Sequence, residues 1–247
     1  MTDLQQALAG AQHAPATATV QRAAFVIGNT GKLGEELLNV LLESPRYTAV
    51  HVGVREAMRS YVPKLHPLVA PGDLGAWDPC AGMKRAPEDL YPCIELGAKS
   101  FWKIPKPYAA ITSPQAATLA RRMRAGGAVS VAVITPLEAI LQLGAAPAIR
   151  DTDELAILES GFTRMLVLRP IDDARRAAAP GFFGTVGGVV TRTPGSYMTP
   201  KSLQPVRVGR AAQATVDTLA SMGDGTRVMG AEQLRELVGD PMDAKAR

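Results

Sequence analysis

Ala23-Ala24-Phe25-Val26-Ile27-Gly28-Asn29-Thr30-Gly31-Lys32-Leu33-Gly34 is the stretch of this 247-residue chain whose reading decides the fold. Five apolar, β-favouring residues run into a glycine, the pattern of a short buried strand. Glu35-Glu36-Leu37-Leu38-Asn39-Val40-Leu41-Leu42-Glu43 follows with apolar residues at helical spacing, so a helix is expected directly after the glycines, and Pro45 ends it. Tyr47-Thr48-Ala49-Val50-His51-Val52-Gly53-Val54-Arg55 then alternates into a second strand that finishes at an arginine. The three pieces make one βαβ unit.

Outward from that unit, the pattern repeats. Residues 92–97 read as a strand ending in glycine, 114–124 as a helix stopped by Gly126-Gly127, and 129–134 as a strand. A short helix over 153–159, stopped by Gly161, precedes a buried strand at 165–170, and 210–222 reads as a further helix. Residues 56–90 carry five prolines, three glycines and Trp77 and yield no assignment, and 177–209 reads as loop. Strands alternating with helices predict an α/β protein with a doubly wound, mostly parallel sheet and ligands at the carboxyl ends of its strands. Residues 1–21 read as a loosely attached arm and 22–247 as one domain, whose small portion after Arg169 is expected to cover the substrate side.

Composition excludes several function classes. Lys and Arg number 27 against 23 Asp and Glu, a net charge of +4, and only 5% of residues are aromatic, which argues against a nucleic-acid binder. No run reaches the ~20 apolar residues that a membrane-spanning helix needs. Cys80 and Cys93 cannot form a disulfide framework and no secretory leader is read, so a cytoplasmic location is expected. His13, His51 and His66 share no metal-ligand spacing, so no metal is expected. The acidic pairs Glu88-Asp89 and Asp172-Asp173 read as solvated.

The glycines at 28, 31 and 34 have the order of a compact dinucleotide fingerprint, each with a physical reason. Gly28 permits a sharp turn off the strand, Gly31 leaves room for a pyrophosphate against the backbone, and Gly34 lets the helix pack closely. Asn29, Thr30, Lys32 and Leu33 complete the loop, and the helix amino terminus turns free N–H groups toward the phosphates. An acid at the end of the second strand would bind the ribose 2′-hydroxyl of NAD. Arg55 stands there instead, which favours the 2′-phosphate of NADP and NADPH over NADH.

The glycine loop with Arg55, then Leu96-Gly97, then Glu154 and Ser160-Gly161-Phe162 leading into Val167-Leu168-Arg169-Pro170, resembles the atypical short-chain dehydrogenase/reductases. It is most similar to their single-domain NAD(P)H-binding group that includes the Tat-interacting-protein family. The resemblance implies a Rossmann fold in which Leu96, Gly97, Thr135, Arg169 and Pro170 line the cofactor. It also implies a proton-transferring tyrosine with a lysine four residues later. Counting back from Glu154 puts these near Ala146 and Arg150, and no tyrosine occurs between Ile134 and Met165. Tyr197-Met198-Thr199-Pro200-Lys201 has the spacing, but Pro200 would break the helix that holds such a pair, and the motif follows the Arg169-Pro170 strand. Thr135, Tyr197 and Lys201 are the catalytic candidates. The expected function is an NADP(H)-dependent oxidoreductase on a small carbonyl or enone, with a degenerate catalytic pair and a homodimer as candidate assembly. The alternative is a non-catalytic NADP(H)-binding sensor that works through a partner.

Overall fold

The computed structural model describes residues 22–83, 85–94, 107–135, 152–169 and 208–238. The first strand, β1 (Arg22–Ile27), enters the glycine loop, and helix α1 (Lys32–Glu43) leads to β2 (Tyr47–Val54). The strands β3 (Leu65–Val69) and β4 (Asp89–Pro92) precede α2 (Ser113–Ala125), β5 (Ser130–Ile134), α3 (Thr152–Leu158) and β6 (Arg164–Arg169). The chain then adds α4 (Val208–Ser221), β7 (Gly225–Gly230) and α5 (Ala231–Val238). All strand pairs are parallel, in the order β3-β2-β1-β4-β5-β6-β7, so the winding direction reverses between β1 and β4.

Apolar residues pointing alternately up and down build two cores. On one face Ala24, Val26, Val50, Val52 and Tyr91 meet Leu37, Leu38 and Leu41 of α1 and Ala212, Val216 and Leu219 of α4. On the other, Phe25, Ile27, Leu90, Val131 and Val133 meet Ala116, Leu119, Ala120 and Met123 of α2 and Ile157 of α3. Each fully buried Leu, Ile or Phe contributes about 1.5–3 kcal/mol of transfer free energy. Local signals set the helix ends. Thr112 and Gln115 form a capping box at the start of α2, where Gln115 Oε1 accepts from the Thr112 N–H at 3.0 Å, and Gly127 ends it at φ +108°.

Three expectations are corrected. The blank stretch 56–90 contains β3, an edge strand in which Pro67 is tolerated because one side of the ladder is open. The strand expected at 92–97 lies earlier, at Asp89–Pro92, because its start is fixed by pairing with Ala24 through Ile27. The Glu88-Asp89 pair is not solvated. Asp89 is fully buried and Glu88 Oε2 accepts from the Ala23 N–H at 2.6 Å. Of the portion after Arg169, residues 208–238 place α4 on the α1 face and extend the sheet with β7 beside β6. Residues 1–21 and 170–207, including Asp172 and Asp173, lie outside the described residues. Among those described, no helix is long and apolar enough to cross a membrane.

Candidate functional site

The site grows from the carboxyl end of β1. Gly28 turns off the strand at φ +79°, a conformation that side-chain-bearing residues rarely adopt. A Cβ there would lie 1.9 Å from the Cys93 carbonyl oxygen and 2.7 Å from Ile111 Cγ2, so the glycine also lets β1 and β4 converge. Gly34 is equally constrained, but by the loop and not by the sheet: its Cβ would lie 2.5 Å from Asn29 Cα. Gly31 differs. A Cβ on it meets nothing within 4 Å, and it is the N-cap of α1 with no side chain closing the first turn. The middle glycine therefore fronts open space at a helix amino terminus, where free N–H groups and the helix dipole favour an anion.

Around that opening, Thr30 folds back on the loop, its N–H donating to the Gly28 carbonyl at 2.8 Å. Lys32 and Arg55 are both exposed, and Leu33 is half-buried against the α1-side core. Asn29 is fully buried, and neither its Oδ1 nor its Nδ2 has a hydrogen-bond partner. A buried amide left unpaired costs about 1–3 kcal/mol, so it marks a place where the protein alone is incomplete.

A second feature crosses the same end of the sheet. Residues 107–111 run antiparallel to the end of β2, where Arg55 N–H donates to the Pro107 carbonyl at 2.8 Å and Ala109 N–H to the Gly53 carbonyl at 3.0 Å. These bonds flank the pair Val54 and Tyr108, whose side chains therefore share the α1 face. Gly28 N–H donates to the Ala109 carbonyl at 3.0 Å. Tyr108 packs partly buried beside α1, and burial followed by the nearby Glu35 carboxylate raises its phenol pKa.

Farther along, Thr135 follows β5, and its Oγ1 donates to Glu154 Oε1 of α3 at 3.4 Å. Arg169, the last residue of β6, donates from Nη2 to Glu154 Oε2 at 2.5 Å in an ion pair that is almost wholly buried, while its Nε has no partner. Arg169 therefore reaches the end of the sheet with its guanidinium already held by an acid. Glu154, absent from the expected site residues, is the group that joins Thr135 to Arg169. The only sequence signal for it is its place in the passage that precedes Arg169.

At the opposite end of the sheet lies a closed polar cluster. Asp89 accepts from Arg22 Nη2 at 2.6 Å, Arg22 Nε at 3.2 Å and Tyr47 Oη at 2.8 Å, with Arg46 Nε at 3.6 Å. The Tyr47 and Tyr91 hydroxyls lie 2.7 Å apart, and burial above all raises both phenol pKa values. Burial also pushes the Cys93 thiol up to about 12, so this cysteine is inert at neutral pH. Among the described residues, no three His, Cys, Asp or Glu side chains gather as a metal-holding group. Leu96, Gly97, Pro170, Tyr197 and Lys201 lie outside the described residues.

No family model and no curated protein matches the chain. Solved structures do. The Bordetella bronchiseptica enzyme WbmH in complex with NAD+ is similar at a TM-score of 0.52 and 14% identity, over 92% of this chain and 82% of that one. MoeE5 in complex with UDP-glucuronic acid and NAD is similar at a TM-score of 0.50 and 15% identity, over 90% of this chain and 82% of that one. Identities this low speak for architecture alone: the chain has the Rossmann fold that the resemblance to short-chain dehydrogenase/reductases implies.

Proposed function

We propose that this protein binds NADP(H) through residues 28–34 and acts as an oxidoreductase on a small carbonyl or enone compound. The observation that carries the reading is the contrast among the three glycines. Gly28 and Gly34 are closed by the chain itself, whereas Gly31 faces open space at an α1 amino terminus that no side chain caps. A pyrophosphate fits that place by charge and by room. Lys32 and Arg55 are the cations within the loop and after β2, and Arg55 is the group for a 2′-phosphate. Both WbmH and MoeE5 are described in complex with the nicotinamide dinucleotide NAD, which supports the cofactor class; the preference for NADP rests on Arg55. The bound nicotinamide supplies hydride transfer. Thr135 Oγ1 is the hydroxyl we assign to polarising a carbonyl, which requires its single proton to turn from Glu154 Oε1, its acceptor in the free protein, toward the substrate. Tyr197 and Lys201 remain candidate contributors from the sequence.

A specific observation favours a second reading, a non-catalytic NADP(H) sensor acting through a partner. No tyrosine lies between Ile134 and Met165, and the Thr135 hydroxyl is directed at a carboxylate that Arg169 already holds. One titration addresses both readings. NADPH should raise the melting temperature more than NADH by mass action, Gly31→Asp should abolish the response, and Arg55→Ala should weaken it for NADPH alone. Binding with turnover of carbonyl substrates selects the enzyme. Binding with no turnover and a cofactor-dependent change in association selects the sensor, and absence of any binding overturns both.

A further inference from the structure

In a doubly wound sheet, ligands lie outside the carboxyl ends of the strands where the winding reverses, here between β1 and β4. In this protein, chain already fills that place. Where β1 turns away at Gly28, residues 107–111 take its position beside β2, bonded to Gly53, Arg55 and Gly28. Ala109 and Ile111 are 5% and 1% exposed, and Ile111 Cγ2 stands 2.7 Å from the Cβ that Gly28 lacks. The Gly28 N–H, at the first position of the phosphate loop, is spent on Ala109. The hold combines the backbone hydrogen bonds to Gly53, Arg55 and Gly28 with burial of Ala109 and Ile111 in the α2-side core, while Tyr108 is only partly buried. Opening the segment therefore costs the exposure of these two side chains as well as the bonds.

We propose that residues 107–111 are a self-occluding strap over the switch-point crevice, which the adenosine side of a dinucleotide must displace in order to bind. This inference rests on the dinucleotide reading above and adds its regulation. Apparent affinity is then the intrinsic affinity multiplied by the fraction of molecules whose strap is open. Anything that tightens the strap weakens binding, and anything that loosens it strengthens binding. A strap that merely walled the site would respond in the opposite sense.

Val54 and Tyr108 form a non-hydrogen-bonded antiparallel pair, the close-approach geometry in which two cysteines can be bridged. The test is the Val54→Cys, Tyr108→Cys double variant in a Cys80→Ser background, with Cys93 buried. Its NADPH and NADH dissociation constants are measured after oxidation with glutathione disulfide and after reduction with dithiothreitol. The strap predicts binding at least about tenfold weaker in the oxidised form than in the reduced form. A second variant, Ala109→Pro, deletes the N–H that bonds Gly53 and should bind about threefold tighter than the unaltered protein. Equal affinity in oxidised and reduced forms, or weaker binding by Ala109→Pro with an unchanged melting temperature, overturns the strap while leaving dinucleotide binding intact. Absence of binding by the unaltered protein, the reduced variant and Ala109→Pro alike overturns the dinucleotide reading itself.

Discussion

The two ends of the sheet are built from similar materials and differ in what they leave undone. At the amino end, Asp89 is fully buried and takes hydrogen bonds from the Arg22 and Tyr47 side chains with a second cation, Arg46, near by. At the carboxyl end, Asn29 is as deeply buried and its amide has nothing, while the Arg169 Nε is likewise unpaired. The amino end has its own gaps: the Ser130 hydroxyl at the start of β5 lacks a hydrogen bond, as do Arg46 Nε and Glu88 Oε1, although these two lie in ion pairs with Asp89 and Arg85. Burial of polar groups is therefore no guide to function by itself. The closed end pins strands together, and the incomplete end is where a ligand has something to complete.

The largest expected effect tests the closed end. Asp89→Ala leaves Arg22 and the Tyr47 hydroxyl without their buried acceptor and should cost about 3–5 kcal/mol in denaturant unfolding, with dinucleotide affinity unchanged. A loss under about 1 kcal/mol would mean that the cluster is solvated and the contrast false. Next comes the loop itself. Gly28→Ala, at φ +79° and against the Cys93 carbonyl, should cost at least about 2 kcal/mol, whereas Gly31→Ala should change stability by less than about 0.5 kcal/mol. Equal destabilisation of the two variants would erase the distinction between closed and open glycines.

A smaller effect should have the opposite sign. Asn29→Ala removes an unsatisfied buried amide, so thermal or chemical unfolding of the ligand-free protein should show a gain of about 1 kcal/mol, together with weaker NADPH binding. A loss of stability would show that the amide has a partner after all. The smallest effect calibrates the others from mid-sheet. Burial, and then the neighbouring His66, lower the His51 pKa to about 4. Between the ordinary value near 6.5 and 4, the unfolded chain takes up a proton that the folded one refuses, so stability falls as pH falls through that window. His51 is only half-buried, so the loss should stay below about 1 kcal/mol. His51→Phe should flatten the melting-temperature profile between pH 6.5 and 4, and an unchanged profile would assign the acid sensitivity elsewhere.

What was legible in the sequence was what local chemistry decides. The β1–α1–β2 unit could be read because an apolar run, a glycine loop and a helical period lie next to one another. The edge strands could not. β7 reads Gly-Thr-Arg-Val-Met-Gly with Met229 its one buried residue, and β3 contains a proline, so neither carries the apolar run that marks a central strand. Within the site, Gly28, Gly31 and Gly34 stood out by spacing, but their different roles depend on Cys93, Ile111 and Asn29, which spacing does not encode. Asp89 was misread for the same reason: its partners lie 67 and 42 residues away.

Those separations make Asp89 an arbiter of strand alignment during folding. Its carboxylate finds Arg22 and Tyr47 only when β1, β2 and β4 are all in place, with Asp89 beside Ala24. A slip of β4 by one residue would turn the charge to the other face of the sheet, into the apolar packing beneath α2, and so carry its own penalty. The first βαβ unit can form early from local contacts, but β4 can join it in one alignment only, and the late, non-local step becomes the selective one.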